Sequence, residues 1–256
     1  MARTSKSRSG KGKSTRTAAP AKTARSKRPA LPVRVALFLR RWIWRLMLVP
    51  PVLLLALIIL YRFVDPPITH TIWTERHRLG SVDQQWVDIE DVSEFAPRSI
   101  VAAEDANFCL HWGFDMAAIR EALDDGGQRG ASTLSQQTVK NVFLWQGRSW
   151  VRKALEALIT PVVEIAWPKK RILEIYLNVA EMDEGVFGIE AAAHRYFDRP
   201  PLELTATQAA RIAAVLPNPK GRNAGQPSSF VRRRAASIAD GAATIEADGR
   251  AACFED

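Results

Sequence analysis

The chain has 256 residues, of which 47% are apolar and 25% charged, a composition that fits a globular domain with appendages and excludes disorder throughout. Its net charge of +9 is uneven: residues 1–64 hold 15 lysines and arginines and no acid, whereas the rest holds 21 basic and 27 acidic residues. The first quarter therefore carries +15 and the remainder −6. Because the main domain is mildly acidic, it does not resemble a fold that wraps nucleic acid, and we expect no nucleic-acid partner.

Residues 1–41 are predicted to be a disordered basic tail, since lysines and arginines among Ser, Thr, Ala and Pro bury too little apolar surface to fold. The sequence excludes neither nucleic acid nor anionic lipid as a contact of this tail. Residues 42–64 are predicted to be a transmembrane anchor with sixteen uncharged positions, LMLVPPVLLLALIILY. A buried core helix would suit the length but not the preceding tail, and a cleaved signal peptide would need a small-residue cleavage site after the apolar run. Because basic residues beside a first span stay in the cytoplasm, we expect the following domain outside it.

Beyond the anchor, residues 65–95 are expected to be a membrane-proximal linker with a short strand in SVDQQWVDI, residues 96–222 the main domain, and residues 223–256 a helical extension. Seven helices are predicted, over 97–109, from 132 onward, over 150–167, 168–179, 188–197 and 205–216, and from 228 onward. A capping box of Thr133 and Gln136 begins the second, and Pro161 is expected to bend or break the third. The fold class is therefore mainly α.

The cysteines and histidines are few. Cys109 and Cys253 are 144 positions apart, and their pairing cannot be judged from the sequence. The four histidines lack ligand-like spacing, so no metal site is predicted.

A carboxylate pair, Glu104 and Asp105, lies within the first helix of the domain. On a helix, Glu104 shares a face with Ile100 and Phe108, and such partial desolvation raises the pKa of a carboxyl group toward neutrality. The pair then supplies a candidate general base. The alternative is a surface acidic pair at a helix end.

The segment from Lys140 to Leu155 contains basic residues and no acidic residue. Within it, Arg152 and Lys153 lie one turn before Glu156. Together with Arg148 they would suit a multiply charged anion such as a pyrophosphate. Cations around Glu156 would favour its charged form, so that the two carboxylates have separate roles. The alternative is a solvated helix face with a weak ion pair.

The segment from Ser132 to Asn141 places polar side chains on neighbouring helix faces. Gln136 and Lys140 lie four residues apart, as do Gln137 and Asn141. With Ser132 and Thr133, these amides and the lysine would line a groove for a hydroxyl-rich, phosphorylated ligand, although polar helix faces are common.

These segments resemble the motifs of the peptidoglycan glycosyltransferases, glycosyltransferase family 51. The similar segments are EDANFCLHWGFD at 104–115, GASTLSQQTVKN at 130–141, RKALE at 152–156, KRILEIYLN at 170–178 and LPNP at 216–219. In the first motif Asp105, Phe108, His111 and Gly113 support the site. The chain ends where the bifunctional class A penicillin-binding proteins would begin a transpeptidase domain, so the resemblance is to the monofunctional biosynthetic branch.

The resemblance implies a lysozyme-like domain with a small jaw lobe against the membrane, preceded by one transmembrane helix. It implies polymerisation of lipid II into β-1,4-linked glycan strands with release of undecaprenyl diphosphate. Glu104 and Glu156 are then the catalytic carboxylates, Glu104 as base and Glu156 orienting the cations. The residues that the resemblance implies to bind substrate and pyrophosphate are Lys140, Arg148, Arg152, Lys153, Gln136, Gln137, Asn141, Ser132 and Thr133.

The resemblance also implies a single-pass protein of the bacterial inner membrane with a cytoplasmic N-terminus and a periplasmic catalytic domain. Its partners are lipid II, the lipid-linked strand and the membrane, with other cell-wall synthesis or division proteins as candidates. No cofactor is expected to be required; Mg²⁺ or Mn²⁺ at the pyrophosphate is compatible with the resemblance but indicated by no ligand cluster.

Two alternative functions are weighed against this one. A membrane-anchored lytic glycosidase would also use a carboxylic acid, but glycoside hydrolysis needs no pyrophosphate site. A non-catalytic cell-wall scaffold would have no reason to combine Glu104, Lys140 and Glu156.

Overall fold

The computed structural model describes residues 31–126 and 130–255, so most of the predicted basic tail lies outside the described residues. The chain divides into two compact units, Met1–Pro51 and Val52–Asp256. The long helix α1, Leu31–Tyr61, contains Pro50 and Pro51. Its stretch Val33–Tyr61, which contains an 18-residue window with a mean hydropathy of 2.4, is long and apolar enough to cross a membrane. The helix begins at residue 31 rather than 42, because no proline or glycine interrupts the Leu-, Val- and Arg-rich sequence between Pro32 and residue 42.

Ten further helices and three short strands follow in the described residues. The helices are α2 (His70–Leu79), α3 (Phe95–Glu104), α4 (Met116–Asp124), α5 (Leu134–Phe143), α6 (Trp150–Ala166), α7 (Lys169–Val179), α8 (Gly188–Phe197), α9 (Ala206–Val215), α10 (Ser229–Ala247) and α11 (Ala252–Glu255). The strands are β1 (Asp83–Gln84), β2 (Glu181–Asp183) and β3 (Val186–Phe187). Turns of 3₁₀ helix cover Ile89–Asp91, Phe108–Leu110, Pro201–Glu203 and Pro219–Gly221. The described chain is mainly α, as predicted.

The small sheet has the order β1-β3-β2, with β3 parallel to β1 and antiparallel to β2. Of the predicted strand in SVDQQWVDI, only β1 forms. The hairpin of β2 and β3 was not predicted, because strands of two or three residues are too short to show alternation. Gly185 makes its turn at a φ of +70°, and a Cβ there would lie 2.7 Å from Leu79 Cδ1. Glycine is therefore required at this turn.

The core of the domain forms where α5 and α7 pack against each other and where α9 and α10 pack on α3. The helical spacing of Ile172, Ile175, Tyr176 and Val179 predicts one apolar face of α7, and all four are buried. On α9 a run of buried alanines allows close approach of its neighbours. This packing fixes α3 beside α10 and α5 beside α7.

Apart from the end of α3, the starts and ends predicted for the helices beyond the anchor lie within two residues of those in the structure. The capping box of Thr133 and Gln136 is present, and α6 continues through Pro161 without a break. Helix α3 ends at Glu104 instead of Cys109, because Asp105 leaves the helical conformation. The three glycines of DDGGQRGA at 124–131 predict a loop, and its residues 127–129 lie outside the described residues.

The C-terminal extension is packed on the domain. Val231, Ile238 and Ile245 of α10 are buried, and Cys253 of α11 forms a disulfide with Cys109. The pairing that the sequence left open is therefore made. It joins the extension to the segment that follows Glu104.

Candidate active site

Glu104 is the last residue of α3, and the segment after it is held by its own polar side chains. Buried Asp105 accepts a hydrogen bond from the Leu134 backbone nitrogen at 2.9 Å and contacts His111 Nε2 at 2.9 Å. The segment is thus tied to the first residue of α5. Asp105 and His111 therefore support the site from beneath.

Gly113 brings this segment against α6. Its φ is +81°, and a Cβ at this position would lie 2.7 Å from Thr160 Cγ2. The Gly113 carbonyl accepts a hydrogen bond from Thr133 Oγ1 at 2.7 Å. A side chain at position 113 would displace α6 from the segment.

A buried ion pair packs under the same segment. Glu164 of α6 is hydrogen-bonded to Ser135 of α5 and to Lys169 Nζ at 2.8 Å. Lys169 lies 4.4 Å from the ring centre of buried Phe108, and burial lowers the pKa of its amine. These contacts join α5, α6 and α7. Phe108 packs against this ion pair, which is consistent with its predicted role in supporting the site.

The Glu104 carboxylate has one hydrogen-bonded oxygen and one free oxygen. Gln137 Nε2 donates to Oε2 at 2.8 Å, whereas the solvent-inaccessible Oε1 has no hydrogen-bond partner among the described residues. Burial raises the pKa of Glu104, and the hydrogen bond from Gln137 and the charges of Arg234 and Lys140 oppose this effect. A carboxylate of raised pKa with a free oxygen is suited to accept a proton.

Tyr176 of α7 orients this hydrogen bond. Its hydroxyl donates to Gln137 Oε1 at 3.3 Å, so the amide presents its nitrogen to Glu104. Burial raises the pKa of Tyr176 well above its ordinary value, which keeps the hydroxyl a donor. The helical spacing placed Tyr176 only on the apolar face of α7; the signal for a further role was a hydroxyl on a buried helix face, which needs a partner.

The polar residues predicted to line a groove along α5 separate into two groups. Thr133 and Gln136 are buried and satisfy each other in the capping box, so their polar atoms are used at the start of α5. Gln137 binds Glu104, and Asn141 Oδ1 accepts a hydrogen bond from Gln146 at 3.1 Å. The amine of half-buried Lys140 makes no hydrogen bond or ion pair within the described residues.

The predicted cation cluster surrounds Glu156, which is 2% exposed. Arg152 Nη1 lies 2.6 Å from its Oε2, and Lys153 is hydrogen-bonded to its Oε1. Lys153 also donates to Ser132 Oγ at 3.1 Å. Two cations on one buried carboxylate leave a net positive charge of one. Glu156 therefore orients Arg152 and Lys153.

Lys140 and Arg148 complete the positive charge of this region. Burial lowers the pKa of Lys140, and the charges of Glu156 and Glu104 counteract that effect, so Lys140 interacts with both carboxylates. Arg148 is exposed and lines a surface depression with Arg152 and Lys153. The structure thus brings together the four predicted cations and both predicted carboxylates.

Two cavities adjoin the Glu104–Gln137 contact. One of about 420 Å³ is lined by Gln137, Lys140 and Tyr176. Asn218 of the LPNP motif and Lys220, which follows that motif, also line it. The other, of about 240 Å³, is lined by Glu104, Asp105, Ser132 and Thr133, among others. Glu104 and Lys140 therefore face different spaces, with Gln137 between them.

The far end of the larger cavity was not predicted from the sequence. There Lys220 Nζ lies 3.1 Å from Glu75 Oε2 and 3.3 Å from Glu181 Oε1. Burial raises the pKa of Glu181, an effect that Lys220 opposes. No local pattern could reveal this cluster, because its members come from three separate segments. Within residues 31–126 and 130–255, no group of three His, Cys, Asp or Glu side chains is placed to hold a metal ion.

Comparison with known proteins gives consistent matches to this arrangement. A family model described as Transglycosylase matches residues 72–243. A protein of Jannaschia sp. (strain CCS1) named biosynthetic peptidoglycan transglycosylase is 60% identical over 84% of this chain and 90% of its own length. Proteins of the same name from Xanthomonas axonopodis pv. citri (strain 306) and Rhodospirillum centenum (strain ATCC 51521 / SW) are 47% and 45% identical, over 78% and 80% of this chain and 87% and 90% of theirs.

Proposed function

Since the chain belongs to the transglycosylase family and is a peptidoglycan glycosyltransferase, we propose that it uses lipid II as acceptor and a lipid-linked glycan strand as donor. The reaction joins them through β-1,4 MurNAc–GlcNAc bonds and releases undecaprenyl diphosphate. The observation that carries this proposal is a buried carboxylate with a free oxygen beside a cluster of cations.

In this proposal Glu104 is the general base. The acceptor GlcNAc 4-hydroxyl attacks C1 of the donor MurNAc, and its proton passes to Glu104 Oε1. The hydrogen bond from Gln137 holds the other carboxylate oxygen, so the free oxygen is presented in a fixed direction. A fixed base with a raised pKa is a better proton acceptor at neutral pH than an exposed carboxylate.

The cations stabilise the leaving group. As the bond between C1 and the pyrophosphate oxygen breaks, its electron pair remains on that oxygen, and negative charge develops on the pyrophosphate. Lys140 carries no ion pair within the described residues, so its charge is available to this oxygen. Arg152 and Lys153 contribute the excess charge that Glu156 leaves, and exposed Arg148 would meet the distal phosphate. Because this negative charge develops in the transition state, the cations stabilise the transition state more than the ground state. The proposed chemistry needs no cofactor.

The N-terminal helix is compatible with a membrane anchor, and we propose that it places the domain on the periplasmic side of the inner membrane. The +15 charge of residues 1–64 favours a cytoplasmic N-terminus. The disulfide of Cys109 and Cys253 favours an oxidising compartment for the domain.

An exposed apolar face on α6 supports the proposal that the domain contacts the bilayer. Val151, Leu158 and Ile165 recur every seven residues and are 66%, 70% and 77% exposed. Glu156 and Val163 on the same helix are buried. A helix with cations toward the site and apolar side chains toward lipid would bring a lipid pyrophosphate to Lys153.

The proposal is tested on two substrates, lipid II and finished, pyrophosphate-free glycan strands. Wild-type enzyme should polymerise lipid II and leave finished strands intact. Lys140→Ala should lower turnover of lipid II by about 30-fold or more, equivalent to the loss of one preorganised donor at about 2–4 kcal/mol. Lys220→Ala, which removes a cation from the far end of the same cavity, is the matched control and should cost less. Cleavage of finished strands that Lys140→Ala leaves unchanged, without polymer from lipid II, would establish a lytic enzyme instead.

A further inference from the structure

The C-terminal extension reaches the catalytic end of α3. Helices α10 and α3 run antiparallel: Glu246 Oε2 of α10 lies 2.9 Å from Arg98 Nη1 near the start of α3, and Gly241 lies against Ala102. Arg234 precedes Gly241 by seven residues, about 10 Å along the helix axis. Its side chain therefore lies beyond Ala102, at the end of α3 that carries Glu104.

Arg234 is unlike the other arginines at the start of α10. Arg232 is exposed and donates to the Pro227 carbonyl at 2.7 Å, and Arg233 is also exposed. Arg234 is half-buried, and its Nε is inaccessible to solvent without a hydrogen-bond partner among the described residues. Leaving a buried donor unpaired costs free energy, so such a group calls for an explanation.

The unpaired Arg234 nitrogen and the unpaired Glu104 oxygen belong to interacting groups of opposite charge. The polar groups that interact with Glu104 include Gln137 and Lys140 of α5, Tyr176 of α7 and Asp105 after α3. The cavity that Glu104 lines also contains Asn107, Asp115, Ser132 and Thr133. Among the described residues, Arg234 and Lys140 bring the positive charge that favours the ionised form of Glu104, against burial and Asp105.

These two cations differ in what else they do. Lys140 lines the larger cavity, where a bound pyrophosphate would bring negative charge beside it and offset its effect on Glu104. Arg234 lies on a different helix, outside both cavities that adjoin the Glu104–Gln137 contact. Its effect on Glu104 would therefore persist when the anionic substrate is bound.

We propose that Arg234 is a positioning residue that keeps Glu104 ionised while a pyrophosphate occupies the cations of α5 and α6. The inference rests on the proposed role of Glu104 as base. It gives the C-terminal extension a part in the reaction, through charge and without contact to substrate.

The test is the pH dependence of lipid II polymerisation by the full-length protein, followed as kcat and kcat/KM. A base must be deprotonated to act, so activity falls as the pH drops through the pKa of Glu104. Removing the positive charge of Arg234 raises that pKa, and the acidic limb should move to higher pH by about half to one unit. Arg234→Gln and Arg234→Met should therefore lose about three- to tenfold at pH values below the wild-type midpoint and approach wild-type turnover at alkaline pH.

Two controls separate this effect from structural damage. Arg234→Lys keeps the charge and should keep the wild-type limb. Arg233→Gln removes an equal charge from the neighbouring exposed position and should leave the limb in place. The proposal is overturned if both neutral variants lose activity equally at every pH, if Arg233→Gln shifts the limb as much, or if both neutral variants unfold while Arg234→Lys remains folded.

Glu104→Gln in the same assay separates this proposal from the function on which it rests. If Glu104→Gln polymerises lipid II at a rate near that of wild type, the assignment of the base is wrong. If Glu104→Gln is inactive and the neutral Arg234 variants keep the wild-type limb, only the proposal about Arg234 is wrong.

Discussion

At the scale of single residues, Glu104, the base in the proposed function, has surroundings that oppose stability. Burial disfavours its charge, and one of its oxygens has no hydrogen-bond partner among the described residues. An enzyme can keep such a group because a carboxylate of raised pKa is useful as a base. The fold around it, through Asp105, Gln137 and Tyr176, is well satisfied.

The first prediction is that Glu104→Gln stabilises the protein at neutral pH. The amide can still accept the hydrogen bond from Gln137 and carries no charge to desolvate. We expect a gain of about 1 kcal/mol in the free energy of unfolding, or about 2–4 °C in Tm.

The pH dependence of this gain follows from the raised pKa. The cost of the charge is present above the pKa of Glu104 in the folded protein and absent below its ordinary value of 4.5. The advantage of Glu104→Gln should therefore shrink as the pH falls toward 4.5. Thermal unfolding at several pH values measures it, and a variant less stable than wild type at neutral pH would show that the carboxylate contributes to the fold.

The sequence could predict which residues are brought together and the local role of Gln136 as a helix cap, but not the use of the Gln137 amide. Gln137 binds Glu104, which lies 33 positions earlier in the chain. Which neighbour faces this amide is a tertiary property. Arg234 and Tyr176 were missed for the same reason, since each acts across helices distant in sequence.

At the scale of elements, the C-terminal extension closes the structure around the segment after α3. Buried Arg98 pairs with Glu246 of α10 and Glu255 of α11. Arg250 Nη1 donates to the Ala106 carbonyl at 3.0 Å, two residues from Glu104. The disulfide of Cys253 with Cys109 adds a covalent link. The sequence analysis predicted a helix here but could not predict its partners.

The second prediction concerns this disulfide. Because it closes a loop over a separation of 144 residues, its loss should lower the free energy of unfolding by about 2–5 kcal/mol. Replacement of Cys109 and Cys253 by serine, measured by denaturant unfolding, gives this value. Wild-type protein with reductant should match the double variant, and a variant equal to oxidised wild type would show that the link adds nothing.

Long periodic segments were predictable as elements, whereas short ones were not. The bounds of α8 agree with the prediction. Asp198, which follows its last residue, takes the left-handed conformation and ends the helix. The sheet was largely missed because its strands are shorter than a period. Helix α4 was not predicted. Its N-cap Asp115, which precedes Met116, is a signal for a helix start that the sequence does contain.

At the scale of the whole molecule, the arrangement fits an enzyme whose substrate is a lipid. A helix able to cross a membrane precedes the domain, and an exposed apolar face runs along α6. Confining enzyme and substrate to one surface favours their encounter.

The third prediction is the orientation of the anchor. The +15 charge of residues 1–64 should retain the N-terminus in the cytoplasm. A reporter that is active only outside the cytoplasm, fused at the C-terminus, should be active, and a reporter that needs the cytoplasm should be inactive at that position. The reverse pattern would place the domain in the cytoplasm.

The central claim is that this chain polymerises lipid II with Glu104 as its base, and the most direct measurement is the rate of polymer formation by Glu104→Gln. We expect a loss of about 10²-fold or more with the fold retained, because an amide cannot accept the proton. Glu203→Gln, a change at an exposed carboxylate paired only loosely with Arg199, should keep the wild-type rate. Polymer formation by Glu104→Gln at a rate near that of wild type would contradict the account.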